Sequence, residues 1–227
     1  MTLYLDAARG AARWVATVDV GDPFLYAGRA GIVIFQLDLF EATGDTTYRD
    51  AADQGGRSLV DALVRSGRES PCGLYDGVAG LGFAFGELAV RVNPDYRDAL
   101  SHATGILESR AMHAGRGVLW NDNTDVFGGA SGIGLLLLYA ARALGEPRLL
   151  ELAIDAGAGL VDGGHFRRSA MPNFSHGAAG VAYFLATLFR ETRDLRFKTA
   201  ALAGADRLLA IADTRDDRCV IRHHEPG

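Results

Sequence analysis

Three side chains able to move protons sit beside short glycine motifs in this sequence. Asp76 and His176 immediately precede Gly77-Val-Ala-Gly80 and Gly177-Ala-Ala-Gly180, and Asp125 stands four residues ahead of Gly129-Ala-Ser-Gly132. A carboxylate pair can divide acid and base duties when about 5 to 10 Å separates its members, and an imidazole titrates near neutral pH. The same residues also have a plain structural use, a loop histidine bonded to an aspartate that steadies the turns. His102, His113 and His165 each stand alone, as solvated or core-bonded histidines do. His223, His224 and Glu225 are adjacent, so their side chains diverge rather than converge as i, i+4 ligands on a helix would. Cys72 and Cys219 are far apart and lack a Cys-x-x-Cys spacing, which supports neither a disulfide framework nor a zinc ribbon.

The elements that position these groups are repeated. With Gly28-Arg-Ala-Gly31 the glycine motifs number four, and their first glycines lie 49, 52 and 48 residues apart, the mark of a repeat architecture. Each motif runs into an apolar stretch (Ile32 to Phe40, Leu81 to Val90, Ile133 to Leu144, Val181 to Phe189), which predicts a helix buried on most of its circumference. Polar breaks at Thr43-Gly-Asp45, Asn93-Pro-Asp95, Gly145-Glu-Pro147 and Thr192-Arg-Asp194 lead to amphipathic outer helices, with Asp45, Asp95 and Asp194 placed to cap three of them. The expected fold is all-α, an incomplete α/α toroid of about four helical hairpins over residues 1–227.

In that geometry the glycines supply unusual φ/ψ at each inner-helix entrance and bare backbone where helices approach closely. A phosphate cradle is a poor alternative, because no strand precedes the motif, no Gly-Lys-Ser/Thr follows it, and it occurs four times. The residues just before the motifs, Ala27, Asp76, Gly128 and His176, gather at one end of the ring, with Tyr26, Tyr75, Phe127 and Ser175 one step earlier. Backbone repeats there while side chains differ, as expected of a site grafted on a scaffold.

Composition narrows the partners. A formal net charge of -5 without Lys/Arg clusters argues against nucleic acid or an anionic membrane. Residues 1–10 lack the basic and apolar regions of a secretory signal, and no apolar run approaches the ~20 residues that cross a bilayer, so a cytoplasmic protein is expected.

Tyr75-Asp-Gly-Val-Ala-Gly80, Asp125-Val-Phe-Gly-Gly-Ala-Ser-Gly132 and Asn173-Phe-Ser-His-Gly-Ala-Ala-Gly180 together resemble the lanthionine synthetase C-like family, the cyclases of lanthipeptide biosynthesis and their relatives. The resemblance covers nearly the whole chain. It implies an α/α toroid, usually of seven hairpins, that adds a peptide Cys thiol to dehydroalanine or dehydrobutyrine to form a thioether. It further implies that His176 is the active-site histidine and Asp125 the active-site aspartate, with Tyr75, Asp76 and Asn173 lining the substrate site.

The family's zinc is held by a Trp-Cys-x-Gly cysteine and a Cys-His-Gly pair, and neither motif occurs here, so no metal ligand or cofactor is assigned to this chain. The expectation is therefore a truncated or split domain, inactive alone, whose open edge is covered by a complementary C-terminal half or by self-association, with a peptide as the other partner. Two alternatives stand beside it. One is a non-catalytic peptide-binding or scaffold relative. The other is a toroid glycoside hydrolase or epimerase using Asp76 and Asp125 as its carboxylate pair.

Overall fold

The computed structural model describes residues 2–168, 171–215 and 218–221. In chain order the elements are α1 (Thr2–Val15), α2 (Arg29–Thr43), α3 (Thr46–Ser66), α4 (Val78–Arg91), α5 (Tyr96–Ser109), β1 (Met112–Ala114), β2 (Gly117–Leu119), α6 (Ala130–Leu144), α7 (Pro147–Asp162), α8 (His165–Arg168), α9 (Ala178–Thr192) and α10 (Leu195–Ile211). Helices α2/α3, α4/α5, α6/α7 and α9/α10 pack as four hairpins, and α2, α4, α6 and α9 touch in sequence as the inner layer. Their shared core lies between the layers, with Leu37, Phe85, Leu137 and Phe184 from inner helices and Leu59, Leu100, Leu149 and Phe197 from outer ones all buried. Each such side chain contributes about 1.5–3 kcal/mol on leaving water.

Every inner helix begins three residues before its apolar stretch, because the first glycine is the N-cap and the motif forms the opening turn. The cap glycines have φ of −124°, −161°, −114° and −144°, which is extended backbone that any residue adopts, so the expected unusual conformation is not why they are glycines. The reason is steric. The preceding loop folds back under the helix, and a Cβ at Gly28, Gly77, Gly129 or Gly177 would fall within 3.0 Å of the carbonyl oxygen six residues earlier, on Asp22, Pro71, Asn123 or Met171. The second glycines meet the same obstacle at Leu25, Leu74, Val126 and Phe174.

What this close approach secures is a main-chain cap. The N–H groups of the first turn donate to carbonyls seven residues back: Arg29 to Asp22, Val78 to Pro71, Ala130 to Asn123 and Ala178 to Met171, at 2.8–3.2 Å. Groups that are ordinarily orphaned at a helix start are thereby satisfied without a capping side chain. They are also unavailable to a phosphate.

Close approach of helices uses glycine too. Gly134 of α6 lies against the Phe184 ring of α9, and Gly86 of α4 against Tyr139 of α6. Positive φ occurs instead at the C-caps Gly44 (φ 69°) and Gly145 (φ 71°), and at Arg193 (φ 59°).

At the outer-helix starts, Asp45 and Asp194 accept the backbone N–H of Thr47 and Arg196 as expected. Asp95 does not cap. It already has helical φ/ψ, and Asn93 Oδ1 accepts the Asp95 N–H at 3.0 Å in its place. Also unforeseen are α1 and the β1/β2 hairpin, which packs on α7 through Gly117 and Gly159 and is followed by a buried Trp120 whose indole N–H donates to the Leu107 carbonyl. The last hairpin exposes Tyr183, Leu195, Leu202 and Leu209. No described helix is long and apolar enough to cross a membrane.

Gly132→Ala should therefore destabilise the fold by about 1–3 kcal/mol through overpacking against Val126 and Leu74. Gly105→Ala in α5, where a Cβ meets nothing within 4 Å, should stabilise it by about 0.5–1 kcal/mol. Urea-unfolding midpoints measure both, and equal effects of the two substitutions would contradict the steric reading.

Candidate active site

The four folded-back loops meet at one end of the ring and are tied together by main chain. Tyr26 N–H donates to the Tyr75 carbonyl, Tyr75 N–H to Phe127 and Phe127 N–H to Ser175, each at 2.9 Å. All four residues hold the same place in their repeats, two before the first glycine. This chain of bonds sets the side chains beside it in a fixed relation.

Phe127 is the hub. Its ring stacks on Tyr75 at 5.5 Å, makes a T-shaped contact with Tyr26 at 5.2 Å and lies 4.9 Å from the His176 ring. His176 Nδ1 lies 3.0 Å from Asp125 Oδ2 across 51 residues of sequence, which leaves Nε2 as the free ring nitrogen. Asp125 Oδ1 accepts the Gly128 N–H at 2.9 Å, so both oxygens of that carboxylate are engaged, and the residue is only 6% exposed. The His176 side chain is 45% exposed. A buried carboxylate thus orients a histidine whose other ring edge is open.

Neighbouring side chains support this pair. Asn173 Oδ1 accepts the His176 backbone N–H at 2.7 Å, so the carbonyl end of Asn173 holds the loop rather than facing outward. Asn121 Nδ2 donates to the Gly128 carbonyl at 3.1 Å, and Asn123 Oδ1 accepts the Asp125 N–H at 3.3 Å. These two asparagines were not singled out from sequence, although they lie in the segment Trp120 to Asp125.

Asp76 enters from the second repeat. Its carboxylate is wedged between the backbones of Gly73 and Gly128, where a Cβ on either glycine would crowd it. Oδ1 is buried and has no hydrogen-bond partner among the described residues. Burial is the main force pushing its pKa above the usual carboxylate value; its own backbone N–H opposes this, the negative charge of Asp125 adds to it, and His176 pulls the other way. The structure therefore brings Tyr75, Asp76, Asp125, Asn173 and His176 to one loop cluster, and adds Phe127, Gly73 and Gly128 to the set.

No group of three or more His, Cys, Asp or Glu able to hold a metal occurs among the described residues. Cys72 is buried, and burial pushes its thiol up, Arg110 opposing and Asp76 adding to the effect, so it is a poor metal ligand. Cys219 is exposed, and His223, His224 and Glu225 lie outside the described residues. The residues described do not fit the family's zinc. A cavity of about 420 Å³ lined by Asp53, Arg57, Tyr96 and His102 also includes Asn93 and Asp95, which places it at the opposite end of the hairpins from His176.

With this geometry in view, comparison with known proteins is decisive for the family. A model of the family described as lanthionine synthetase C-like protein matches residues 19–203. The chain belongs to the lanthionine synthetase C-like family. Among solved structures, nisin cyclase aligns at 15% identity over 92% of this chain and 76% of its own, with a TM-score of 0.51. An inactive variant of an α-1,6-mannanase of Salegentibacter sp., in complex with α-1,6-mannotriose, aligns at 13% identity, 92% and 71% coverage and TM-score 0.63. Cellobiose 2-epimerase from Bacillus thermoamylovorans aligns at 12% identity, 86% and 62% coverage and TM-score 0.57. At these identities the structural likeness shows a shared α/α toroid fold. No curated protein matches the sequence.

The raised pKa of Asp76 in this lanthionine synthetase C-like chain has a stability consequence. Folding binds its proton more tightly than the unfolded chain does, so its contribution is fully present below the ordinary carboxylate value of 3.8 and is lost as pH rises through the folded value. Asp76→Asn removes that loss. Urea midpoints of the two proteins should diverge in favour of the variant as pH climbs from 3.8 towards neutrality, whereas a pH-independent difference would contradict the assignment.

Proposed function

We propose that this chain is the N-terminal part of a lanthionine synthetase C-like domain and carries the proton-transfer half of a lanthipeptide cyclase site. The observation that supports this most directly is the His176 Nδ1···Asp125 Oδ2 contact of 3.0 Å at the loop cluster, in a chain of this family. In the reaction, a thiolate sulfur bonds to Cβ of a dehydro residue, the π electrons move towards the carbonyl, and Cα of the enolate takes a proton. His176 Nε2 is the proton carrier for Cα. Asp125 holds the ring in one tautomer and faces the positive charge it bears when doubly protonated. Tyr75 and Phe127 form an apolar wall for the peptide, Asn173 sets the loop that carries His176, and Asp76 lines the same mouth. A peptide is thus the proposed substrate, with a complementary C-terminal half or a second copy against the exposed face of α10.

A second reading has its own support, since the described residues do not fit the family's zinc: a non-catalytic, peptide-binding relative. The two separate in one experiment. Incubated with a dehydrated, Cys-containing peptide and a complementary C-terminal half, the protein should consume free thiol faster than buffer does, and His176→Ala should lower that rate by about 100-fold or more, Asp125→Asn by at least about 10-fold. Peptide binding that survives both substitutions, without any rate above buffer, would leave the binding role and remove the catalytic one.

A further inference from the structure

Addition of a thiol has two proton steps, loss from S–H and gain at Cα, and a pair of acid–base groups can divide them. His176 with Asp125 provides one of them. A second group must meet three conditions at the same loop cluster: an oxygen or nitrogen not already bonded, access from the mouth, and a proton affinity closer to that of the thiol than an ordinary carboxylate has.

Asp125 fails, because both its oxygens are engaged and it is buried. Cys72 is enclosed, and Asn173 cannot take a proton. Asp76, partly exposed within the same loop cluster, comes nearest to these conditions. Its Oδ1 is sealed against Gly73 without a hydrogen-bond partner, and burial outweighs the two groups that favour its negative charge, its own backbone N–H and His176. Its other oxygen, Oδ2, faces Gly128, the residue whose N–H holds Asp125. In-register residues of the other repeats are Ala27, Gly128 and His176, and the glycine at 128 is what leaves room for this carboxylate, a Cβ there falling 3.0 Å from Oδ2. The charged groups acting on Asp76 are Asp125 and His176, with no Lys or Arg among them, and burial supplies the largest upward push on its proton affinity. Two titratable groups in contrasting surroundings, one charge-paired and one unpaired, are the usual arrangement for dividing base from acid.

We propose that Asp76 is the general base for the attacking thiol, its Oδ2 taking the S–H proton while His176 supplies the proton that ends on Cα. This assignment rests on the cyclase reading. The balance is closed: the S–H bond breaks and an Oδ2–H bond forms, the sulfur lone pair makes the S–Cβ bond, the C=C π pair becomes the enolate, and a proton leaves His176 for Cα. The proton on Asp76 then returns to His176, and no oxidant or reductant is required.

The experiment uses N-acetyl-dehydroalanine methylamide with two nucleophiles, 2-mercaptoethanol, which is mostly protonated at neutral pH, and 4-nitrothiophenol, which is mostly ionised. Asp76→Asn should slow the enzymatic addition of mercaptoethanol by about 100-fold or more. The aryl thiolate needs no base and should restore the rate to that of the wild type, whereas His176→Ala should slow both nucleophiles. Far-UV circular dichroism confirms that the variants are folded. Equal slowing of both nucleophiles by Asp76→Asn, or slowing of neither, would overturn the assignment while leaving the cyclase reading intact. A wild-type protein that accelerates neither nucleophile, with or without a complementary C-terminal half, would remove the cyclase reading, and this assignment with it.

Discussion

The structure depends on a line of three backbone hydrogen bonds, Tyr26 to Tyr75 to Phe127 to Ser175, that joins four loops otherwise separated by about fifty residues each. Each bond is worth about 1 kcal/mol net, but a buried N–H or carbonyl left without a partner costs about 1–3 kcal/mol, so the loops are held as much by what would be lost as by what is gained. The line exists because every loop folds back beneath its own inner helix, and that fold-back is possible because the helix opens with two residues lacking a Cβ. Sterics at the glycines, capping of the first turn and contact between repeats are thus one constraint seen at three distances.

A site built this way has its geometry from main chain and its chemistry from side chains. The repeats place Tyr26, Tyr75, Phe127 and Ser175 identically, and Ala27, Asp76, Gly128 and His176 just after them, so side chains of different chemistry occupy equivalent backbone positions. The resemblance of the fold to a mannanase and an epimerase, alongside nisin cyclase, is what such a division allows. It is also why the fold alone does not decide the reaction, and why the family match and the His176–Asp125 contact carry more weight than any structural overlap.

Much of this was legible in the sequence. The spacing of the glycines predicts the hairpins, the apolar stretches predict the inner layer, and the register of the motifs brings the differing residues beside them to one loop cluster. Legibility failed where the cause is spatial. Extended φ at Gly77 or Gly129 leaves no trace in composition, and only the fold-back brings a carbonyl to the missing Cβ. Asp95 looks like a cap until Asn93 is seen to take its place. The β1/β2 hairpin consists of two three-residue strands, too short for a period to register. The bond between Asp125 and His176 is foreseen from the sequence, but the vacancy that admits Asp76 is not, because it is made by Gly73 and Gly128 from different loops.

Amide hydrogen exchange at Tyr26, Tyr75 and Phe127 tests the inter-loop line most directly. These amides lie in irregular segments, and Tyr26 is largely exposed as a side chain, so local structure alone gives them no protection. The account predicts slow exchange at all three, comparable with the first-turn amides of Val78 and Ala130, and far slower than at Asp122 in the same loops. Exchange at Tyr75 and Phe127 as fast as at Asp122 would mean that the repeats are not joined through their loops, and the site's construction as described would be wrong.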